Sequence, residues 1–263
     1  MTSLQDNIDW LTRSENRVRA LELLGERSYD RPELLAAIDV SRVTFNRMLE
    51  ALEEKGWTRE NEEREYRITP LDRLIIDDLS RAFDSATTAR KLRDLVQYLP
   101  TEEFDFDLRR LGDARITRPT ETDTVASLSR SATLMSESTQ QFSQLIANID
   151  RLHMNGASEL DTPENAESIL TANVMEIVLA DPVTREDLIA VIETGFDLYL
   201  YDGSASITLS LFDNTVGFEL NDGSGFVPAF IETDDEAVLE WAEETYEQYK
   251  REAEPLDFNA FRT

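Results

Sequence analysis

Between Ser41 and Gly56 the apolar residues Phe45, Met48, Leu49 and Leu52 fall at i, i+3, i+4 and i+7. That spacing places four side chains on one stripe of a helix, and a strand cannot reproduce it. Ser41 offers an N-cap oxygen and Gly56 a stop, so both helix ends are specified. The stripe must bury against neighbouring elements. Arg42, Thr44, Asn46 and Arg47 are then left on the outer face near the N-terminal end.

The flanking segments extend the pattern. Within Ile8 to Leu24, Val18, Leu21 and Leu24 recur at helical spacing, with Gly25 following as a stop. Asp30 and Glu33 form a capping box for a short helix turning Leu34, Leu35 and Ile38 inward. A turn at Asp39-Val40 leads to Ser41. Beyond Gly56, WTREN and EREYRIT read as two strands joined by Asn61-Glu62-Glu63. Helix, helix, turn, helix, hairpin is the order of a winged helix-turn-helix over residues 1–70. In that architecture the N-terminal end of the second helix of the pair meets base edges in the major groove of double-stranded DNA. The expected DNA-binding residues are Ser41, Arg42, Thr44, Asn46 and Arg47, with Arg59, Arg64 and Arg67 of the hairpin directed at phosphates. Arginine suits this work because its fork grips guanine or phosphate bidentately. A packing module that binds protein instead of DNA uses the same stripe and stays open as the alternative.

A net charge of −28 stands against binding a polyanion, but its distribution matters. Residues 1–70 hold 11 basic and 15 acidic side chains, net −4; the other 193 hold 15 and 39, net −24. Only Lys55, Lys91 and Lys250 are lysines. Abundant carboxylates with little lysine over an ordinary core resemble the surface chemistry of salt-loving archaea; a merely acidic protein of dilute cytoplasm is the alternative. In molar salt the Debye length is roughly 3 Å, so such a surface hardly repels itself. Counterion release then contributes little to DNA affinity, and base contacts, shape fit and dimerisation must carry it.

The second part of the chain begins with TPLDRLIIDDLSRAFDSATTARKLRDLVQYLP, one long helix or two with a break near Ser85–Thr88. Leu71, Leu74, Ile75, Leu79 and Phe83 form one apolar stripe, and Leu92, Leu95, Val96 and Leu99 another. This helical linker, 71–99, either pairs two subunits or docks on its own second domain. Residues 100–263 read as an α/β domain. Strands are expected at Ala114–Arg118, Ala132–Met135, Val174–Ala180, Phe196–Tyr201, Ile207–Phe212, Thr215–Leu220 and Phe226–Glu232. Helices are expected around Gln140–Leu152 and Arg185–Glu193, turns at Asp213-Asn214 and Asn221–Gly225, and an insertion over 155–168. Thr233 and Glu236 form a capping box for a last helix carrying Val238, Trp241, Ala242, Thr245 and Tyr249.

Four stretches resemble a known family: VSRVTFNRMLEALEEKGW, EYRITPLDRLI, LPTEEFDFDLRRLGDARITRPTETD, and the run from DLYLYDGSAS to YEQYKREAEPL. Covering about half the chain, they are similar to the two-domain winged-helix transcriptional regulators of haloarchaea. Those regulators are related to methanogen filament-type regulators and to TrmB-like sugar sensors. The resemblance implies an α+β winged helix-turn-helix, a linker helix and an α/β sensor domain like half of a phospholipase-D fold. It departs over TLMSESTQQFSQLIANIDRLHMNGASELDTPENAES, so it implies no particular effector.

Catalytic motifs do not accompany that fold. The chain has no cysteine, which excludes disulfides and thiolate chemistry. Its one histidine, His153, lacks the lysine two residues on that phospholipase-D chemistry requires, since Met154-Asn155 follow it. DGSGF at 222–226 joins strand to strand and reads as a turn rather than a phosphate cradle. TDDE at 233–236 reads as capping plus solvated surface. No catalytic residue, metal ligand or cofactor is expected. Neither a membrane span nor a signal peptide is evident, so a soluble cytoplasmic protein is the expectation, and the helical linker makes a homodimer the expected assembly. A small neutral effector is expected near DLYLYDGSAS, at Tyr199, Tyr201, Asp202 and Ser206. Tyr199 and Tyr201 share one strand face, which turns either to a cleft or to the last helix.

Overall fold

The computed structural model describes residues 4–148, 165–222 and 226–256. It divides into two compact units, Met1–Ala86 and Thr87–Thr263.

The first unit contains α1 (Leu4–Thr12), α2 (Glu15–Glu26), β1 (Tyr29–Asp30), α3 (Arg31–Ala37), α4 (Arg42–Glu54), β2 (Arg59–Glu60) and β3 (Glu65–Arg67), then the start of α5 (Pro70–Leu92). The single helix expected from Ile8 to Leu24 is two, because Ser14 takes extended backbone and opens α2. Gly25 does not stop α2, which runs to Glu26. A Cβ there would lie 3.5 Å from Ile68, so the glycine marks a helix surface closely covered by its neighbour. Asp30 and Glu33 form the full capping box: the Glu33 amide donates to Asp30 Oδ1 at 2.8 Å and the Asp30 amide to Glu33 Oε2 at 3.2 Å.

Helix α4 buries Phe45, Met48, Leu49 and Leu52. It ends at Gly56, whose φ of +81° lets Trp57 and Gly56 amides return to the carbonyls of Leu52 and Glu53, each at 2.9 Å. This is a Schellman close, and a side chain at Gly56 would strain it. Strands β1, β3 and β2 form an antiparallel sheet in that order. Tyr66 of β3 is buried in the core with Leu21, Leu34, Phe45 and Leu49. Ile76 joins that core, with Ile75 and Leu79 packed beside it, whereas Leu71, Leu74 and Phe83 remain exposed.

In the second unit Leu92, Leu95 and Leu99 are buried in the main core, and Val96 is exposed. The described strands are β4 (Arg115–Thr117), β5 (Phe142–Ile146), β6 (Ala166–Thr171), β7 (Asp197–Tyr201), β8 (Thr208–Phe212), β9 (Thr215–Glu219), β10 (Phe230–Thr233) and β11 (Glu254–Pro255). They form one mixed sheet ordered β11-β7-β6-β5-β8-β9-β10-β4, with β5, β6 and β7 parallel and the other pairings antiparallel. One face carries Leu145, Ile169, Leu209, Val216, Phe218 and Ile231 and is covered by α9 (Glu236–Glu252) through Val238, Trp241, Ala242 and Tyr246. On the other face lie α6 (Ala126–Glu137), α7 (Ala172–Ala180) and α8 (Pro182–Glu193), packed in two separate apolar clusters. Gly217 has no room for a side chain: a Cβ would stand 2.4 Å from the Phe230 ring.

Three elements differ from expectation. Ala132–Met135 is the end of α6, not a strand, because the buried stripe is Ser127, Ser131, Leu134 and Met135, and two of its members are polar. Val174–Ala180 belongs to helix α7, not a strand. Val174, Met175 and Val178 are buried while Ile177 and Leu179 stay exposed, so exposed apolar residues disguised the period. Of the helix expected around Gln140–Leu152, residues 142–146 form strand β5 instead, and residues 149–152 lie outside the described residues. As a central strand, β5 shows no alternation of apolar and polar residues. The N-cap of α9 is Asp235 rather than Thr233; Asp235 accepts the Ala237 and Val238 amides, and Thr233 Oγ1 accepts the Asp235 amide at 3.2 Å. Strand β10 starts at Phe230, with 226–229 irregular. His153, residues 155–164 of the expected insertion and residues 223–225 of the expected turn lie outside the described residues, and the end of that insertion is not loop but the start of strand β6, paired between β5 and β7.

Candidate nucleic-acid interface

Helices α3 and α4 are joined by a four-residue connection, and the hairpin of β2 and β3 follows directly. The Ser41 hydroxyl caps α4 by accepting the Thr44 amide at 3.3 Å, and it lies 2.9 Å from the Thr44 hydroxyl. Ser41, Arg42, Thr44 and Arg47 are exposed and Asn46 is half-buried, on the side opposite the Phe45/Leu49 stripe. Val43 joins them at 63% exposure. The sequence reading passed over it, because an apolar residue outside the stripe signals nothing by its spacing.

The hairpin is held by Asn61, whose Oδ1 accepts the Glu65 amide at 2.8 Å. Arg64 sits at the tip in the left-handed region, φ +64°. Arg59 and Arg67 are direct cross-strand partners, and all three arginines are exposed. Inward-facing Tyr66 has its hydroxyl pKa raised by burial and by the neighbouring carboxylates Glu53 and Glu60. The Glu53 carboxyl is likewise raised, by burial and then by Glu60. Among the described residues, the guanidinium groups of Arg42, Arg47, Arg59, Arg64 and Arg67 make no ion pair, whereas Arg13, Arg27, Arg81 and Arg109 each have a carboxylate partner. The helix end and the hairpin therefore present five uncompensated cations on an acidic chain.

In the second unit Tyr199 and Tyr201 point to the face covered by α9. Tyr201 meets Tyr249 edge-on with ring centroids 4.9 Å apart, and Lys250 Nζ lies 5.4 Å from the Tyr199 ring centroid. Lys250 also donates to both Glu167 oxygens, at 2.8 and 2.6 Å. Burial alone would lower the lysine pKa, but the Glu167 carboxylate outweighs it and the pKa is raised. Asp202 and Ser206 are exposed, and the Ser206 hydroxyl donates to Glu103. The four predicted effector residues are thus split: two rings half-buried under α9 and two polar groups in solvent. Among the described residues no cluster of acids or histidines is placed to hold a metal ion, and no helix is long and apolar enough to cross a membrane.

Comparison with known families follows the division of the chain. The HVO_A0261 N-terminal domain matches residues 5–95, and the middle domain of the methanogenesis regulatory protein FilR1 matches residues 123–252. These two matches cover the two parts of the chain in order and agree with the resemblance to winged-helix regulators that the sequence motifs carry. Among solved structures, one of TrmBL2, an archaeal chromatin protein with a novel mode of DNA binding, aligns at 15% identity over 96% of this chain and 100% of its own, TM-score 0.40. A putative IclR-family transcriptional regulator from Rhodococcus sp. aligns at 12% identity over 95% and 96%, TM-score 0.20. No curated protein matches.

Proposed function

We propose that the chain is a sequence-specific, DNA-binding transcriptional regulator without enzymatic activity, working in the salt-rich cytoplasm of a halophilic archaeon. Its first unit is read as a winged helix-turn-helix, with α4 as the recognition helix and β2–β3 as the wing. One observation carries this reading: five exposed arginines without an ion pair lie together on α4 and the hairpin, the two parts of such a fold that meet a duplex. Arg42, Thr44, Asn46 and Arg47 read bases, and Arg59, Arg64 and Arg67 hold phosphates. Val43 supplies an apolar contact of the kind that selects a thymine methyl group. Dimerisation uses the exposed Leu71, Leu74 and Phe83 of α5, so that two reading heads meet two half-sites.

The second unit is read as the sensor, with a phospholipase-D-half-like sheet and a neutral effector near Tyr199, Tyr201, Asp202 and Ser206. A thermal-shift screen of neutral metabolites on the wild type and on Tyr201→Ala tests that part. A stabilising compound that shifts both proteins equally would move the site elsewhere. The test of the main reading is an anisotropy titration on promoter DNA in molar KCl. Saturable binding that discriminates between promoters and scrambled duplex supports it. No binding to any promoter would leave a protein-binding module as the surviving account of the α4 face.

A further inference from the structure

Strand β5 is the fourth of eight across the sheet of the second unit, flanked by β6 and β8. Its two faces are not covered alike. Ser143, Leu145 and Ala147, on the side of α9, are buried, whereas Gln144 and Ile146, on the side of α6, α7 and α8, are half-buried. Neighbouring strands close both edges of β5, so the surface that Gln144 and Ile146 keep opens through the face. On that side α6 packs over β4 and β10, and α7 over β6 and β7, which leaves the strip of β5 and β8 between them.

Strand register sets a polar row in this strip. Gln144 pairs directly with Ser168 of β6 on one side and with Ser210 of β8 on the other. Directly paired residues project to the same face, so the three side chains stand abreast at the strand spacing of roughly 4.8 Å. Phe142, Ala166 and Phe212 lie to one side of the row and Ile146 and Leu170 to the other, in the two separate apolar clusters of this face. Packing alone would favour apolar residues throughout, because a buried hydroxyl without a partner costs about 1–3 kcal/mol.

Gln144 Nε2 donates to Ser210 Oγ at 3.0 Å. Ser168 is only 3% exposed, and among the described residues its hydroxyl makes no hydrogen bond. That hydroxyl is not sealed, and the surface it keeps faces the strip. What the row offers a ligand is the Ser168 hydroxyl, the Gln144 carbonyl oxygen and the Ser210 proton, all uncharged. Arg130 on the same side is held by both Glu232 oxygens. The buried carboxylate of Glu219, which alternates with core-facing Phe218 and so turns to this side, disfavours an anion.

We infer that this strip is a binding site for a small neutral polyol, with its hydroxyls on Ser168, Gln144 and Ser210 and its carbon chain against Ile146. Each hydroxyl of a polyol donates and accepts, as the serine hydroxyls and the glutamine amide do. The site lies on the opposite face of the sheet from Tyr199 and Tyr201, and it is independent of DNA binding.

The experiment follows the side-chain amide resonances of Gln144 in the 15N-labelled full chain, assigned through Gln144→Leu, in molar KCl. Xylitol is the probe, 1,5-pentanediol the same chain without its inner hydroxyls, and xylonate the anion. Xylitol is expected to shift the Gln144 resonances saturably, with the other two at least about tenfold weaker, the factor that one lost hydrogen bond produces. Ser168→Ala should weaken xylitol by a similar factor. Its melting temperature should be no lower than that of the wild type, because the deleted hydroxyl bonds nothing in the described chain. No saturable shift with xylitol, or pentanediol or xylonate binding as tightly, overturns the proposal. So does an unchanged xylitol affinity in Ser168→Ala. A lower melting temperature in that variant also counts against it, since the hydroxyl would then serve the fold.

Discussion

Arg130 and Glu232 are 102 residues apart in sequence and meet in a fork-to-fork pair between α6 and β10. Arg130 Nε donates to Glu232 Oε2 at 2.7 Å and Nη2 to Oε1 at 2.6 Å. Their side chains are only 21% and 10% exposed. Truncating one partner of a buried pair strands the other, at a cost of about 3–5 kcal/mol. Arg115 offers partial relief, with Nη1 3.9 Å from the same carboxylate, but it is 64% exposed and its charge is largely screened by solvent. The lower end, about 3 kcal/mol, is therefore expected for Arg130→Met. For a unit of this size that corresponds to a melting temperature lower by roughly 6–12 °C. Urea denaturation followed at the Trp241 indole resonance, in molar KCl, measures the effect on the second unit. The double variant Arg130→Met/Glu232→Leu removes the stranded charge and should recover most of the loss. A loss below about 1 kcal/mol, or a double variant no better than the single, would refute burial as the source of the pair's importance.

Arg47→Ala should cost roughly 1–3 kcal/mol on a cognate site with the fold unchanged, and Arg64→Ala should weaken cognate and scrambled duplex alike. Anisotropy at matched salt checks both, and a loss confined to the cognate site in Arg64→Ala would make the wing a base reader. The melting temperature should rise between about 0.1 M and about 3 M KCl, because most of the negative charge belongs to residues beyond 70. A flat profile contradicts the salt-adapted reading. Asp107, held by the Arg109 side chain and amide, has its pKa lowered from 3.8 to about 2. A depressed carboxylate stabilises above its unfolded pKa and loses that contribution as pH falls through the folded one. The stability gap between wild type and Asp107→Asn should therefore be constant above about pH 4 and close toward pH 2, as followed by thermal melts across that interval. Asp213 is lowered too, chiefly by the Thr139 and Gln141 amides, and should behave with the same sign.

Local chemistry was legible in the sequence wherever it is written in adjacent residues. The stripe of α4, its Ser41 cap, the Gly56 close and the Asp30–Glu33 box all depend on contacts within a few positions. They specified where α4 starts, which side it buries and which arginines it exposes. Tertiary structure decided what depends on partners distant in sequence. Helices α6 and α7 hid their period because Ser127 and Ser131 could be buried, Ser127 with its hydroxyl on the Thr117 carbonyl, while Ile177 and Leu179 could stay exposed. Only packing settles such an exchange of polar and apolar positions. The Tyr201–Tyr249 contact and the Arg130–Glu232 pair likewise bring together segments whose spacing has no period. The row of Ser168, Gln144 and Ser210 is of the same kind: only strand register sets three residues from distant segments abreast on one face, and register leaves no pattern within a single strand.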